Sequence, residues 1–245
     1  MRHDELEMIA VGCRAELRSM GVELRVSQNF EEIRGEFAQL DKDLGPAGDP
    51  ASLLLTRANS FWIFATKDGL PILGFAVRMD DLVDEDAQAF LIRSLHVIFG
   101  VHVTRTAFSI FAGRHWGKAA YFGDLKANIR NGLATDGGKI IRLAFAYAHY
   151  RAFTDFGSDI HYCFLRAKDR AKGASYGFLE GEPFDWETDR SIYQDGNPEW
   201  IMQTRRERLP SLLADAAKLL PQWEGFAVDK KQRLGVVDNS ARRSK

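Results

Sequence analysis

The chain has 245 residues, of which 45% are hydrophobic and 27% charged, with a formal net charge of −1 at pH 7. That composition builds a packed core and excludes a disordered chain, and the balanced charge gives no global attraction to nucleic acid or to an anionic membrane. The two cysteines, Cys13 and Cys163, form neither a disulfide framework nor a zinc spacing, so reduced thiols in a cytoplasmic protein are expected. Charges recur through the first twenty residues, which do not read as a signal peptide. No apolar run reaches the ~18 residues that a membrane span needs.

In chain order, Leu6, Ile9, Ala10, Cys13, Leu17 and Met20 recur at helical spacing, and Gly21 follows as a stop. VELRVS reads as a strand. Asn29 with Glu32 forms a capping box, and Phe30, Ile33, Phe37, Leu40 and Leu44 make the buried stripe of the next helix. Gly45 to Pro50 is a loop. SFWIFAT and ILGFAVRM read as a hairpin around Asp68-Gly69. From Asp80 to Gly117 the pattern is less regular. AQAFLIRSLHVIF is helical, and VTRTAFSIF fits a strand or a buried helical turn equally. Phe90, Phe99, Phe108, Phe111 and Trp116 make this stretch aromatic-rich.

The second half alternates. AAYFGDLKA is a strand, NIRNGLATDGGK a Gly-rich turn, and IIRLAFAYAHYRAF a helix with Ile140, Leu143, Ala144, Tyr147 and Tyr150 on its apolar face. IHYCFLRA is a strand and KDRAKGASYGF a short helix, and LEGEPFDW with EWIMQTRRE is a strand pair. Leu209, Leu212, Leu213, Ala216 and Leu220 form a last helix, opened by Pro210 and closed before Pro221. After Phe226 six Lys/Arg stand against two Asp. One domain over 1–225 and a flexible basic tail over 226–245 are expected.

A Gly-rich turn from a strand into a helix presents backbone N–H groups at the helix N-terminus, where hydrogen bonding and the helix dipole both favour an anion. The candidate phosphate stretch is Asn128 to Lys139, with Arg130 and Lys139 able to add charge. An ordinary loop closed by glycine is the alternative.

The order helix, hairpin, strand, Gly-rich loop, helix, strand, helix, hairpin resembles the GNAT acyltransferase superfamily. FGDLKA before the turn and Tyr176-Gly177-Phe178 after the short helix carry the local likeness. The resemblance implies an α+β fold, a mixed sheet with flanking helices. Its core spans about 22–207 with an insertion at about 80–117, and an N-terminal and a C-terminal helix are added. It implies acyl transfer from acetyl-CoA or a longer acyl-CoA to a small-molecule amine, without a metal. Donor contacts would come from Leu125, Ala127, Arg130, Asn131, Gly132, Ala134, Gly137, Gly138 and Lys139. Gly132 and Ala134 fit the family loop, whereas Ile129 stands where the family has Gln or Arg.

The family's usual Tyr acid corresponds to Gly173 here. Tyr176 is the substitute candidate acid, and Asp124, in the strand bordering the thioester, is the candidate base. Asp124 reads equally as a strand-edge carboxylate bonded to backbone N–H groups. His96, His115, His149 and His161 show no metal-ligand spacing. Gly-x-Ser-x-Gly, His-Glu-x-x-His and Walker loops are absent from the sequence, which argues against a serine hydrolase, a zinc protease and a nucleotide triphosphatase. Two alternatives accompany the acyl-CoA reading: an acyl carrier protein as donor, and a non-catalytic binding protein on the same fold.

Overall fold

A computed structural model describes residues 1–49, 55–56, 58–82, 85–100, 102–103, 107–128, 136–184 and 199–221. The apolar runs of the first half form β1 (Val22–Ser27), β2 (Ser60–Lys67) and β3 (Leu70–Leu82). Asp68 and Gly69 turn β2 into β3 with positive φ at both positions, 52° and 78°. That is the primed two-residue turn whose twist matches the strands it joins. β4 (Gly117–Ala127), β5 (Ile160–Arg166), β6 (Glu180–Phe184) and β7 (Glu199–Arg205) complete a seven-stranded sheet of order β1-β2-β3-β4-β5-β7-β6. β4 and β5 are its parallel pair. They are connected through α4 (Gly137–Thr154), as a parallel crossover requires.

On one face α4 packs with α1 (His3–Ser19) and α6 (Leu209–Ala217) over a core that includes Ile9, Leu17, Phe75, Phe122, Phe145 and Leu213. Both added terminal helices therefore cover this face. Lys139, in the first turn of α4, meets Glu16 of α1 at 2.6 Å.

On the other face α2 (Phe30–Gln39) buries Ile33 and Phe37 against Trp62 and Phe64. α3 (Ala87–Phe99) and a 3-10 turn at Ser109–Phe111 cover the second half of the sheet. There Phe90, Phe108, Phe111 and Trp116 pack with Tyr162 and Phe164. The aromatic-rich stretch is therefore mostly core. The described part of VTRTAFSIF holds the 3-10 turn, one of the two forms its pattern allowed. A six-residue helix, α5 (Arg170–Ser175), follows β5.

The α+β, mixed-sheet element order read from the sequence is the order of the structure. Gly137 and Gly138 open α4 itself rather than forming a separate turn before it. The tail 226–245 lies outside the described residues. No described helix is long and apolar enough to cross a membrane.

Phe75 is fully buried and stacks on Phe145 with centroids 4.4 Å apart, so it joins β3 to α4. Phe75→Ala should cost about 3–5 kcal/mol of stability, measured by urea denaturation.

Candidate active site

β4 and β5 pair over three positions, Ala119↔Ile160, Ala120↔His161 and Tyr121↔Tyr162. No ladder joins them beyond Tyr121 and Tyr162. Each stays paired on its outer side, β4 to β3 as far as Ala127 and β5 to β7 as far as Arg166. The divergence has a local cause. Gly74 faces Lys126 and Ala76 faces Gly123, so one residue of β3, Phe75, lies opposite two of β4, Asp124 and Leu125. This is a β-bulge, with Asp124 in the left-handed region at φ 54°. A bulge bends its strand and sharpens the twist, and here it turns β4 away from β5.

A cavity of about 620 Å³ occupies the gap. Ile141, Phe145, Tyr176 and Phe178 line it on the α4 side, and Lys42, Gly45, Pro46, Ala47, Phe99 and Phe164 on the α2–α3 side. It therefore runs through the sheet, which no fully paired sheet would permit. A Cβ on Gly123 would collide with the Tyr121 ring, which would have to shift to admit it.

The candidate base Asp124 lines this cavity with its side chain 6% exposed. Its carboxylate accepts the Gly45 N–H at 2.7 Å and meets Lys42 Nζ at 3.4 Å. Burial pushes its pKa above the ordinary carboxylate value, against the pull of the Gly45 N–H and Lys42. The carboxylate fastens the turn that follows α2. A Cβ on Gly45 would lie 2.9 Å from Asp124 Oδ1, and one on Gly48 would lie closer still.

The candidate acid Tyr176 caps the C-terminus of α5 and stacks on Phe145 with centroids 4.9 Å apart. Burial raises its phenol pKa. Leu125 and Ala127 also line the cavity. Arg130, Asn131, Gly132 and Ala134 lie outside the described residues. Gly137, Gly138 and Lys139 are the first three residues of α4, and Lys139 is engaged by Glu16. Cys163 lines the cavity as well, but burial pushes its thiol pKa up, away from the reactive thiolate.

Two groups at the site carried no functional signal in the sequence. The first is the Gly45–Ala47 turn, which read as a plain loop. The second is a buried cluster of Arg78, Asp80 and Tyr162, whose only trace was charge inside an otherwise apolar strand. Arg78 Nε and Nη2 donate to the two Asp80 carboxylate oxygens at 3.0 and 2.9 Å, and Nη1 donates to the Ala47 carbonyl at 3.3 Å. Tyr162 Oη donates to Asp80 Oδ2 at 3.1 Å.

Behind the cavity lies a buried imidazole chain. His149 Nε2 is 3.0 Å from the Tyr176 carbonyl, His149 Nδ1 is 2.6 Å from His161 Nδ1, and His161 Nε2 is 2.7 Å from Ser158 Oγ. Burial lowers the His149 pKa to about 3 and holds His161 well below its ordinary value, so both rings are neutral. A carbonyl only accepts, so His149 donates to Tyr176 and receives from His161, while the Ser158 hydroxyl beside His161 donates to the Ala152 carbonyl at 2.7 Å. The Ala152 carbonyl also receives the Ser158 backbone N–H at 3.1 Å.

No family model matches the chain, and no curated protein matches it. Several solved structures superpose on it loosely. FeeM, an N-acyl amino acid synthase from uncultured soil microbes, does so at 10% identity and TM-score 0.48, covering 80% of this chain and 96% of that one. A spermidine N-acetyltransferase SpeG chimera from Vibrio cholerae and hSSAT gives 10% identity and TM-score 0.44 over 78% and 99%. The ribosomal-protein-S18-alanine N-acetyltransferase from Escherichia coli gives 10% and 0.41 over 75% and 93%. Superpositions this loose leave the reading of the site to its own geometry.

The histidine pair sets a pH dependence with a definite sign. The unfolded imidazoles take protons near pH ~6.5, whereas the folded ones resist them, so this contribution is complete above that pH and is lost as pH falls toward 3. Asp124, with its raised pKa, works in the opposite direction. Urea denaturation at pH 7 and pH 4.5 should show a loss of at least about 2 kcal/mol from the pair, and H149F/H161F should flatten that slope.

Proposed function

We propose that this protein is an acyltransferase that moves an acyl group from acetyl-CoA or a longer acyl-CoA to an amine acceptor. The observation that carries the reading is the gap between β4 and β5, with a cavity lined from both faces of the sheet. A pantetheine arm is extended and carries two amides. Lying in the gap, it can bond the strand backbones on either side, as an added strand would. Its thioester then lies near Cys163 and Phe122, and its phosphates point to the start of α4, where helix N–H groups favour an anion. The amine approaches from the opposite face, past Pro46, Ala47 and Phe99.

Attack of the amine on the thioester carbonyl forms a C–N bond, expels the thiolate and releases one proton from nitrogen. In this reading Asp124 takes that proton directly or through water, and Tyr176 protonates the leaving sulfur. Cytoplasmic location, which the cysteine usage suggests, suits a thioester substrate.

An acyl carrier protein as donor is the second reading, and the Lys139–Glu16 ion pair favours it. That pair compensates a charge which the CoA diphosphate would otherwise use. The exposed Lys168 and Arg170, either side of Asp169 in the cavity wall, suit an acidic carrier.

Titration with acetyl-CoA and with a long-chain acyl-CoA tests the first reading. Ligand at about 100 times its dissociation constant should add about 2.7 kcal/mol of stability, read as a rise in Tm. No response to either ligand, with turnover of an acylated carrier protein, selects the second reading. No response to any thioester overturns both. Once an acceptor is found, Tyr176→Phe should lower kcat by about 100-fold with donor affinity retained, and an unchanged kcat would remove Tyr176 from the acid role.

A further inference from the structure

We propose that Tyr162, Asp80 and Arg78 form a clasp that fixes the apex of the β4/β5 gap and couples it to the turn on the acceptor side. The functional reading enters only in naming the gap as the donor cleft.

Tyr121↔Tyr162 is the last ladder pair before the strands part. The Tyr162 side chain starts from β5, and its hydroxyl reaches Asp80 of β3, two strands away, at 3.1 Å. It therefore straps over β4 at the point where pairing ends. Arg78 faces Tyr121 in the β3–β4 register, and its guanidinium carbon lies 5.3 Å from the centre of the Tyr121 ring. The guanidinium holds the strap's anchor with two bonds to the Asp80 carboxylate. Its remaining arm donates to the Ala47 carbonyl, in the wall of the cavity.

The same turn is tied on two further sides, by Asp124 from the bulge and by the Trp62 indole N–H, which donates to the Gly48 carbonyl at 3.3 Å. One ionic cluster thus reaches both the closed end of the cleft and the wall past which the acceptor would come. The bulge at Asp124 drives the strands apart, and the strap limits how far the separation travels.

The chemistry of the cluster suits a fixed pin. Burial opposes the Arg78 charge, but Asp80 outweighs it and keeps the guanidinium ionised. Burial, reinforced by Asp80, keeps the Tyr162 phenol protonated as a donor. Arg78, Tyr162 and Asp80 are positioning residues here, since none needs to touch the reacting atoms.

The test is amide hydrogen exchange on the intact protein, wild type against Tyr162→Phe, which removes one oxygen and no packing surface. Exchange in 119–122 and 160–163 should accelerate by about tenfold or more, with a smaller rise at Gly48 and Asp49 and none in the β2–β3 hairpin. CoA titrated into the same variant should bind more weakly than to wild type. Unchanged exchange at the apex would overturn the proposal, and so would acceleration spread evenly over the sheet. Should the variant not fold, the wild-type protein decides. A slowly exchanging Tyr162 hydroxyl proton in its NMR spectrum supports the clasp, and a rapidly exchanging one overturns it. Failure of any thioester donor, CoA-borne or carrier-borne, to bind even wild type sinks the donor-cleft reading while leaving the exchange test intact.

Discussion

The structure turns on a single interruption of backbone pairing. A parallel strand pair inside a sheet normally bonds along its whole length, because buried N–H and C=O groups left without partners are costly. Here β4 and β5 stop after Tyr121 and Tyr162, although both strands continue. Gly74, Phe75 and Ala76 impose the register that places Asp124 and Leu125 in the bulge. The bulge opens the gap, and the gap lets the cavity take its walls from both faces of the sheet. Ile141 and Phe145 of α4 line it on one face, and the turn after α2 lines it on the other.

Around that interruption the two faces of the sheet have different roles. The α1–α4–α6 layer is apolar, with Phe75, Phe122 and Phe145 packed in one mutually contacting trio of rings. It gives the cleft a rigid back wall. The opposite layer holds two ion pairs, Lys42–Asp124, which lines the cleft, and Arg78–Asp80, which bonds the Ala47 carbonyl in its wall. Each charge has a partner of opposite sign, as buried charge requires. Asp124 has two duties in this arrangement: its carboxylate anchors a turn, and in the proposed reaction it receives a proton.

Much of the fold was legible in the sequence because strong local patterns agreed with it. The helical stripes of Leu6 to Met20 and Ile33 to Leu40, the Asp68-Gly69 turn and Pro210 at the start of the last helix each carry a local physical signal, and each element is present. The site was legible only where it follows chain order, in the strand Gly117–Ala127 and in Tyr176. The bulge was not, since it depends on the register between two strands. Nor was the clasp, because Arg78 and Tyr162 lie far apart in sequence and meet only through the sheet. The loop Gly45 to Pro50 read as punctuation, because what gives it a role is the long-range bond from Gly45 to Asp124. Of the phosphate stretch, Arg130, Asn131, Gly132 and Ala134 lie outside the described residues.

The central claim is that the gap between β4 and β5 is where a thioester arm lies. Backbone amide chemical shifts followed during a titration with CoA test it most directly. The account predicts that the largest changes fall on Phe122–Ala127, on Cys163 and Leu165, and on the first turn of α4. Binding that leaves those amides unmoved and shifts others, such as those of α3 or α6, would contradict it.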